Sequence, residues 1–393
     1  MPAANSKGLV GHVSVRTWEL DTLNSNWKIG ARFLIPRGLA SKMELMSAGP
    51  RVIFFCGHKS PYGFGHLEPI LKEFTVIAVV VATDERWAYF GKTLSGGASP
   101  LEPPLLWADI EPSKIARHVR DRIHRWVGGA IGLRNICLRS HVPIWYTGDV
   151  NSPQFIQKVS QQSPEVLLCA AFPQLFGHDL LASASRGGVN FHPALLPRFR
   201  GAHPHFWAIA RGESEGGMTA HIMTERLDGG PIIAQARFPI AGMYYSDYYR
   251  ALLGRIPEFV NEVKEFIICD RLPEPQIGHS VLFHNDCEIN HRVFWDIMTA
   301  SEIHNLIRTE RAFCTFRDRR IWIHRADCLS NTRNMCSHAS AEPGTIVGFD
   351  ESRIILAARE GGIAITSLSF GRRKMPSRSW ADRNKVQIGQ RFR

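Results

Sequence analysis

The chain has 393 residues, 44% of them hydrophobic and 21% charged, with 47 Lys and Arg against 36 Asp and Glu for a formal net charge of +11. This length suffices for two or three domains and the composition excludes a disordered or fibrous chain, while the positive excess points to an acidic partner or to an ordinary basic surface. No apolar run approaches the length of about 18 residues that a membrane span needs, and the N-terminus lacks a signal-peptide core, so a cytoplasmic protein with no membrane partner is expected. The eight cysteines show no C-x-x-C pair and no zinc spacing, and Cys56 and Cys169 sit inside apolar runs as small core residues of a reducing compartment.

Residues 1–49 mix Trp, Gly, Asn and basic residues without a clear period, and read as an extension: a docking arm, or untranslated if initiation falls at Met43 or Met46. Arg51 to Cys56 and Val76 to Ala82 are apolar runs suited to buried parallel strands, with a helix over Glu68 to Phe74 between them. The loop after the first strand contains Gly63-Phe64-Gly65 but lacks the third glycine of a dinucleotide site, and Gly91-Lys92-Thr93 lacks the leading glycine of a Walker loop. A Gly, Ser and Pro-rich surface loop spans Trp87 to Pro104, and Ser113 caps a helix bearing Ile115, Val119, Ile123 and Trp126 with Lys114, Arg117, Arg120, Arg122 and Arg125 on its other faces.

A strand near His141 to Ile144 and a helix over Pro153 to Ser160 follow, then a buried strand from Glu165 to Ala171 that ends in Phe172-Pro173-Gln174-Leu175-Phe176. Gly188 to His192 is the next strand, and its alternation puts Asn190 and His192 on one face. A helix near Phe206 to Arg211, strands at Met218 to Met223 and Ile232 to Ile240, and a long helix from Ser246 to Cys269 complete this part, with Asp228 in a glycine-flanked turn. An amide donor, an imidazole and a carboxylate brought to one point are the parts needed for acyl transfer to an amine.

Pro273-Glu274-Pro275 marks a stiff exposed connection. The expected division is therefore an extension (1–49), a catalytic domain (50–270), a linker (271–280) and a C-terminal domain (281–393). In the last part, Thr299-x-x-Glu302 caps a helix, and alternating segments at Arg320 to His324, Thr345 to Gly348, Ile354 to Ala358 and Ile363 to Leu368 suggest a small β-barrel. Residues 271–393 hold nineteen Lys and Arg against thirteen Asp and Glu, which is more than half of the excess charge.

The run Asn190-Phe191-His192-Pro193, then Leu195-Leu196-Pro197, Arg200-Gly201 and Leu227-Asp228-Gly229-Gly230-Pro231-Ile232-Ile233, resembles the folate-dependent formyltransferases. That group includes glycinamide ribonucleotide, methionyl-tRNA and amino-sugar N-formyltransferases and formyltetrahydrofolate hydrolases. Glu302 to Arg308, Glu342 to Ile346 and Gly371 to Met375 are similar to the C-terminal domain of methionyl-tRNA formyltransferases, with related domains on some sugar enzymes.

The resemblance implies a Rossmann-like α/β domain with a mainly parallel sheet, followed by an OB-like β-barrel. It implies 10-formyltetrahydrofolate as formyl donor, no metal, and an acceptor amine on an aminoacyl-tRNA or an amino-sugar nucleotide. In that reading Asn190 and a protonated His192 stabilise the formyl oxygen, while Asp228 keeps His192 charged and accepts the amine's proton. The folate would lie against Phe172, Gln174, Phe176, Leu195, Leu196, Pro197, Met223 and Leu227. His203-x-His205 lacks a clear third ligand and is not read as a metal pair. Ala194 stands where many relatives carry Ser, which removes a hydroxyl from the loop. A hydrolase is the competing enzyme class, although its usual N-terminal regulatory domain is longer than the roughly 50 residues before the first strand here. A non-catalytic RNA-binding protein is the third class, disfavoured by Asn190, His192 and Asp228 standing together.

Overall fold

The computed structural model describes residues 49–57, 60–83, 132–284, 287–329, 341–371 and 373–393. These all belong to one compact unit, Phe33–Arg393. The N-terminal extension through residue 48, the loop over 87–104 and the basic helix expected from Ser113 lie outside the described residues.

Strands β1 (Arg51–Cys56), β2 (Thr75–Ala82), β3 (Ile144–Thr147), β4 (Val166–Ala170), β5 (Gly188–His192), β7 (Glu215–Ile222) and β8 (Ile232–Pro239) form one sheet in the order β3-β2-β1-β4-β5-β7-β8. Its first five strands are parallel, and β7 and β8 close it antiparallel. The apolar run of β1 is buried on both faces. Val52 and Phe54 point into a core shared with the helix Tyr245–Ile268, and Ile53 and Phe55 into one shared with Phe155, Phe172 and Phe176. The third parallel strand begins at Ile144, the last residue of the expected segment, because Val142 and Pro143 are spent on the approach from the preceding turn.

The strand order reverses direction between β1 and β4, the place where α/β sheets open a crevice beyond the carboxyl ends of their strands. Gly57 marks that point. A Cβ there would stand 2.0 Å from the Ala171 carbonyl oxygen, so only glycine lets the loops after β1 and β4 approach this closely.

The C-terminal sheet comprises β10 (Phe313–Phe316), β11 (Arg319–Leu329), β12 (Ile346–Phe349), β13 (Ile354–Ala357), β14 (Gly362–Phe370) and β15 (Arg373–Pro376), antiparallel in the order β10-β11-β14-β13-β12 with β15 on β14. Gly362 to Ile365 pair with β13, and Ser367 to Phe370 pair with β15, so one strand serves two neighbours along the same edge and the sheet curls into a half-barrel. The helix Ala300–Arg308 covers it, opened by Thr299 and Glu302 in a reciprocal capping box.

The two sheets are bound closely together. Phe206, on the helix Pro204–Ala210, is fully buried in the core of the C-terminal sheet. The buried Arg308 donates from Nε to the Met243 carbonyl at 2.8 Å and from Nη2 to the Ile240 carbonyl at 2.9 Å. Nor is the connection between them a free tether. Glu274 exchanges two backbone hydrogen bonds with Ile232, at 2.6 and 2.8 Å, and β9 (Leu282–Phe283) pairs in parallel with β6 (Arg200–Gly201). Its backbone is fastened to the first sheet and its flanking loop.

Replacing Arg308 by Met removes these two bonds and a third to Asn305 Oδ1, and takes the guanidinium from the Met243 carbonyl while the Ile240 carbonyl keeps the Met243 N–H, so Arg308→Met should lower unfolding stability by about 2–4 kcal/mol. Denaturant unfolding of the whole chain measures it, and a loss below about 0.5 kcal/mol would mean that the residue is not a clamp between the sheets.

Candidate active site

Asn190 and His192 emerge on one face of β5, at the carboxyl end of the sheet, and Asp228 comes from the turn between β7 and β8. Asp228 adopts a left-handed backbone with φ 48°, which turns its side chain inward. Its Oδ1 accepts from Asn190 Nδ2 at 3.2 Å, and its Oδ2 accepts the Gly201 N–H at 2.8 Å and lies 3.6 Å from His192 Nδ1. The three residues singled out by sequence therefore meet at one carboxylate.

His221 is a fourth member that sequence reading missed. Register pairs it directly with Asn190 across β5 and β7. Its Nδ1 bonds the Ile222 carbonyl at 2.9 Å and so must carry a hydrogen; Nε2 then meets Asn190 Nδ2 at 3.2 Å and stands 3.5 Å from Asp228 Oδ1. Both amide hydrogens of Asn190 are thus engaged, at long distances. The signal for His221 was a polar residue inside the apolar run Met218 to Met223, whose meaning depends on which strand lies beside it.

The imidazole of His192 bonds through Nε2 to the Phe199 carbonyl at 2.9 Å, which places a hydrogen on Nε2 and directs Nδ1 toward Asp228. Burial pushes its pKa below the ordinary 6.5, and the attraction of Asp228 only partly offsets that. The direction of this shift opposes the expectation of a protonated His192, because desolvation outweighs the carboxylate. Burial would by itself raise the Asp228 carboxyl, but His192, His221 and the Gly201 N–H outweigh it and hold the group well below the usual carboxylate range.

Two clefts meet at this point, with Asn190 and Asp228 on the walls of both. The smaller, about 60 Å³, is lined by Phe172, Gln174, Phe176, Met223 and Leu227, five of the residues assigned to the folate by resemblance. Gln174 is committed elsewhere: its Oε1 accepts from Val150 N and its Nε2 donates to the Gly148 carbonyl, both at 2.9 Å, so it fixes the loop that carries Phe172 and Phe176. Leu195, Leu196 and Pro197 line neither cleft. The Leu196 backbone is held by Thr219 and Gln235, at 3.1 and 2.8 Å, and these residues act as scaffold beneath the loop from β5.

The larger cleft, about 380 Å³, is bounded by Gly57, Tyr62, His192, His203, His205, Tyr245, Tyr249 and Arg311. Burial lowers His203 to about 4 and His205 to about 3, so both rings are neutral there. Tyr245 and Tyr249 stack with centroids 5.6 Å apart. None of these aromatic residues was assigned from sequence, because helix and loop spacing does not reveal a wall assembled from three separated segments.

A Rossmann-like domain with a polar cluster at the ends of its strands, followed by an antiparallel half-barrel, defines a class of two-domain transferase folds. Residues 139–253 match the formyl transferase domain and residues 288–385 the formyl transferase C-terminal domain, and the chain belongs to the formyltransferase family. It is 28% identical over 264 residues to the methionyl-tRNA formyltransferase of Myxococcus xanthus (strain DK1622), which covers 65% of this chain and 82% of that protein. Among solved structures it is similar to WlaRD, a sugar 3N-formyl transferase, with a TM-score of 0.51 and 16% identity over 82% of this chain and 98% of that one. It also matches a variant of HypX from Aquifex aeolicus, with a TM-score of 0.49 and 13% identity over 87% of this chain, but spans only 50% of the HypX chain. Among the described residues no helix is long and apolar enough to cross a membrane.

Gly201 carries a testable part of the site. At φ 94° a Cβ would stand 2.2 Å from the Phe283 carbonyl oxygen, pushing β6 off β9 and withdrawing the N–H from Asp228. Gly201→Ala should cost about 1–3 kcal/mol in denaturant unfolding, and an unchanged midpoint would show that the pairing of β6 with β9 is loose.

Proposed function

We propose that this protein transfers the formyl group of 10-formyltetrahydrofolate to a primary amine, through residues 50–270, with residues 281–393 binding the acceptor. The observation that carries this reading is the meeting of Asn190, His192 and Asp228 at the wall between two clefts, one for each substrate. The small cleft suits a flat heteroaromatic ring, since Phe172, Phe176, Met223 and Leu227 give it apolar sides and Asn190 and Asp228 a polar end. When bound, the folate supplies a formyl group made transferable by its attachment to nitrogen. WlaRD, the fold neighbour, was solved in the presence of 5-N-formyl-THF and dTDP.

The acceptor amine enters from the larger cleft and attacks the formyl carbon. Asn190 donates to the formyl oxygen as negative charge grows there, sharing a hydrogen now held at 3.2 Å by His221 or Asp228. His192, neutral and with Nδ1 unprotonated, takes the proton that the amine loses as it becomes an amide. Asp228, already ionised, stabilises the imidazolium that forms beside it. His192 then returns the proton to the folate nitrogen as the carbon–nitrogen bond of the donor breaks, leaving amide and tetrahydrofolate with all protons accounted for. This assigns proton transfer to His192 rather than to Asp228, whose depressed pKa makes it a poor base.

For the acceptor, the leading reading is an aminoacyl-tRNA. It rests on the relation to a methionyl-tRNA formyltransferase and on the surplus of six positive charges in residues 271–393. The second reading, an amino sugar on a nucleotide, is favoured by the larger cleft itself, where Tyr62, Tyr245, Tyr249 and neutral His205 offer ring-stacking and hydrogen-bonding surfaces suited to a sugar or base. We place the reaction in the cytoplasm, on the pattern of cysteines within apolar runs.

Asn190→Ala, His192→Ala and Asp228→Asn should each lower kcat by about 100- to 1,000-fold in a folded protein. The rate follows neutral His192, so it should rise with pH through a midpoint below 6.5 and stay level over about pH 7 to 8. In Asp228→Asn the midpoint should move to lower pH, because the carboxylate that raises the imidazole's pKa is gone. A rate that falls through this range would return His192 to the role of a protonated donor.

Donor turnover with charged initiator tRNA, amino-sugar nucleotides and no acceptor separates the readings. A tRNA acceptor making six or more phosphate contacts should lose affinity by roughly 10³-fold between about 50 and 200 mM salt. Weak salt dependence would assign a small acceptor, and formate release at full rate without any acceptor would assign hydrolysis.

A further inference from the structure

Gln276 lies in the connection between the domains, a place where sequence suggests a stiff exposed linker, yet its side chain is fully engaged beneath the candidate site. Nε2 donates to the Asp228 carbonyl at 2.8 Å and to the Gly230 carbonyl at 2.7 Å. Oε1 accepts from Arg200 Nε at 3.1 Å and Nη2 at 2.6 Å. The next residue along Arg200's strand is Gly201, whose N–H holds the other side of Asp228. The backbone of Glu274 is paired with Ile232, just beyond the same turn.

We propose that Gln276 and Arg200 are positioning residues for formyl transfer, forming a clasp that holds the Asp228 turn in its left-handed conformation and makes the interdomain connection part of the active site. The proposal rests on the formyl-transfer reading and extends it to a segment that the sequence reading left as linker.

The chemistry explains why glutamine stands here. Two carbonyls two residues apart need two donors on one atom, and the guanidinium edge of Arg200 needs an acceptor with two lone pairs; an uncharged amide supplies both. Asparagine is one methylene too short. Lysine or arginine would satisfy the carbonyls but oppose Arg200. Glutamate would bind Arg200 more strongly, yet it would turn a carboxylate oxygen onto two carbonyl oxygens. Without the clasp the Asp228 backbone, strained at φ 48°, is free to relax and carry the carboxylate away from His192, Asn190 and Gly201.

The test uses the full chain and compares Gln276→Ala with Gln276→Glu. If the residue merely decorated a linker, the glutamate variant would gain an ion pair with Arg200 and retain full activity. The clasp requires the opposite order: Gln276→Ala should lower kcat by roughly 10-fold and Gln276→Glu by up to about 100-fold, with acceptor KM almost unchanged. Amide exchange at Gly201 should accelerate in both variants, since its acceptor has moved. Ile277→Ala, at a side chain 82% exposed in the same segment, should match the wild type in rate and in exchange.

Wild-type kcat in Gln276→Glu, a change confined to KM, or Gly201 exchange unaltered in both variants would overturn the proposal. Equal losses in Ile277→Ala would overturn it as well, by showing that any disturbance of the connection suffices. A wild-type protein that turns over no formyl donor would sink the formyl-transfer reading instead, and the exchange measurement would still decide whether the clasp exists.

Discussion

The site depends on one buried carboxylate. Taking Asp228 out of water is unfavourable by several kcal/mol unless polar groups replace its hydration, and the fold supplies the Asn190 amide and the Gly201 N–H as donors, with the rings of His192 and His221 beside them at 3.6 and 3.5 Å. Each of these groups is placed by its own structural device. Strand alternation aims Asn190 and His192, cross-strand register brings in His221, and the pairing of β6 with β9 presents Gly201. The carboxylate therefore organises the surrounding backbone as much as it serves the chemistry.

Burial also sets the charge state. A surface histidine beside an aspartate would gain a proton, but here desolvation of the ring exceeds the pull of Asp228, and the Phe199 carbonyl fixes which nitrogen keeps the hydrogen. The result favours an unprotonated nitrogen next to an ionised carboxylate. Such a pair can accept a proton and stabilise the charge so formed, which suits attack by an amine better than a permanently charged ring does.

The two sheets also share parts. Phe206 on the helix Pro204–Ala210 enters the C-terminal core, Arg308 returns from the helix Ala300–Arg308 to the turn at Ile240 and Met243, and the connection supplies β9 and the Gln276 side chain to the N-terminal domain. Motion of one domain against the other would break these contacts together. The seam is thereby a structural support of the site and not only a boundary beside it.

Much of this was legible in the residues. Buried apolar runs marked β1, β2, β4 and β5, alternation put Asn190 and His192 on one face, and the Thr299 and Glu302 box opened a helix at the observed position, because these are local consequences of side-chain period and backbone bonding. The segment from Phe172 to Phe176 lines a cleft, and Gln174 spends its amide on the neighbouring loop. Leu195 to Pro197 looked like pocket lining from their place in the motif, yet they are held beneath it. What sequence by itself determined was the order of elements and the chemical identity of the central three residues. Only the tertiary structure decided that His221, Gly201 and Gln276 join them and that burial lowers the pKa of His192, since strand neighbours, long-range approach and desolvation are fixed by packing between distant segments and leave no period in the chain.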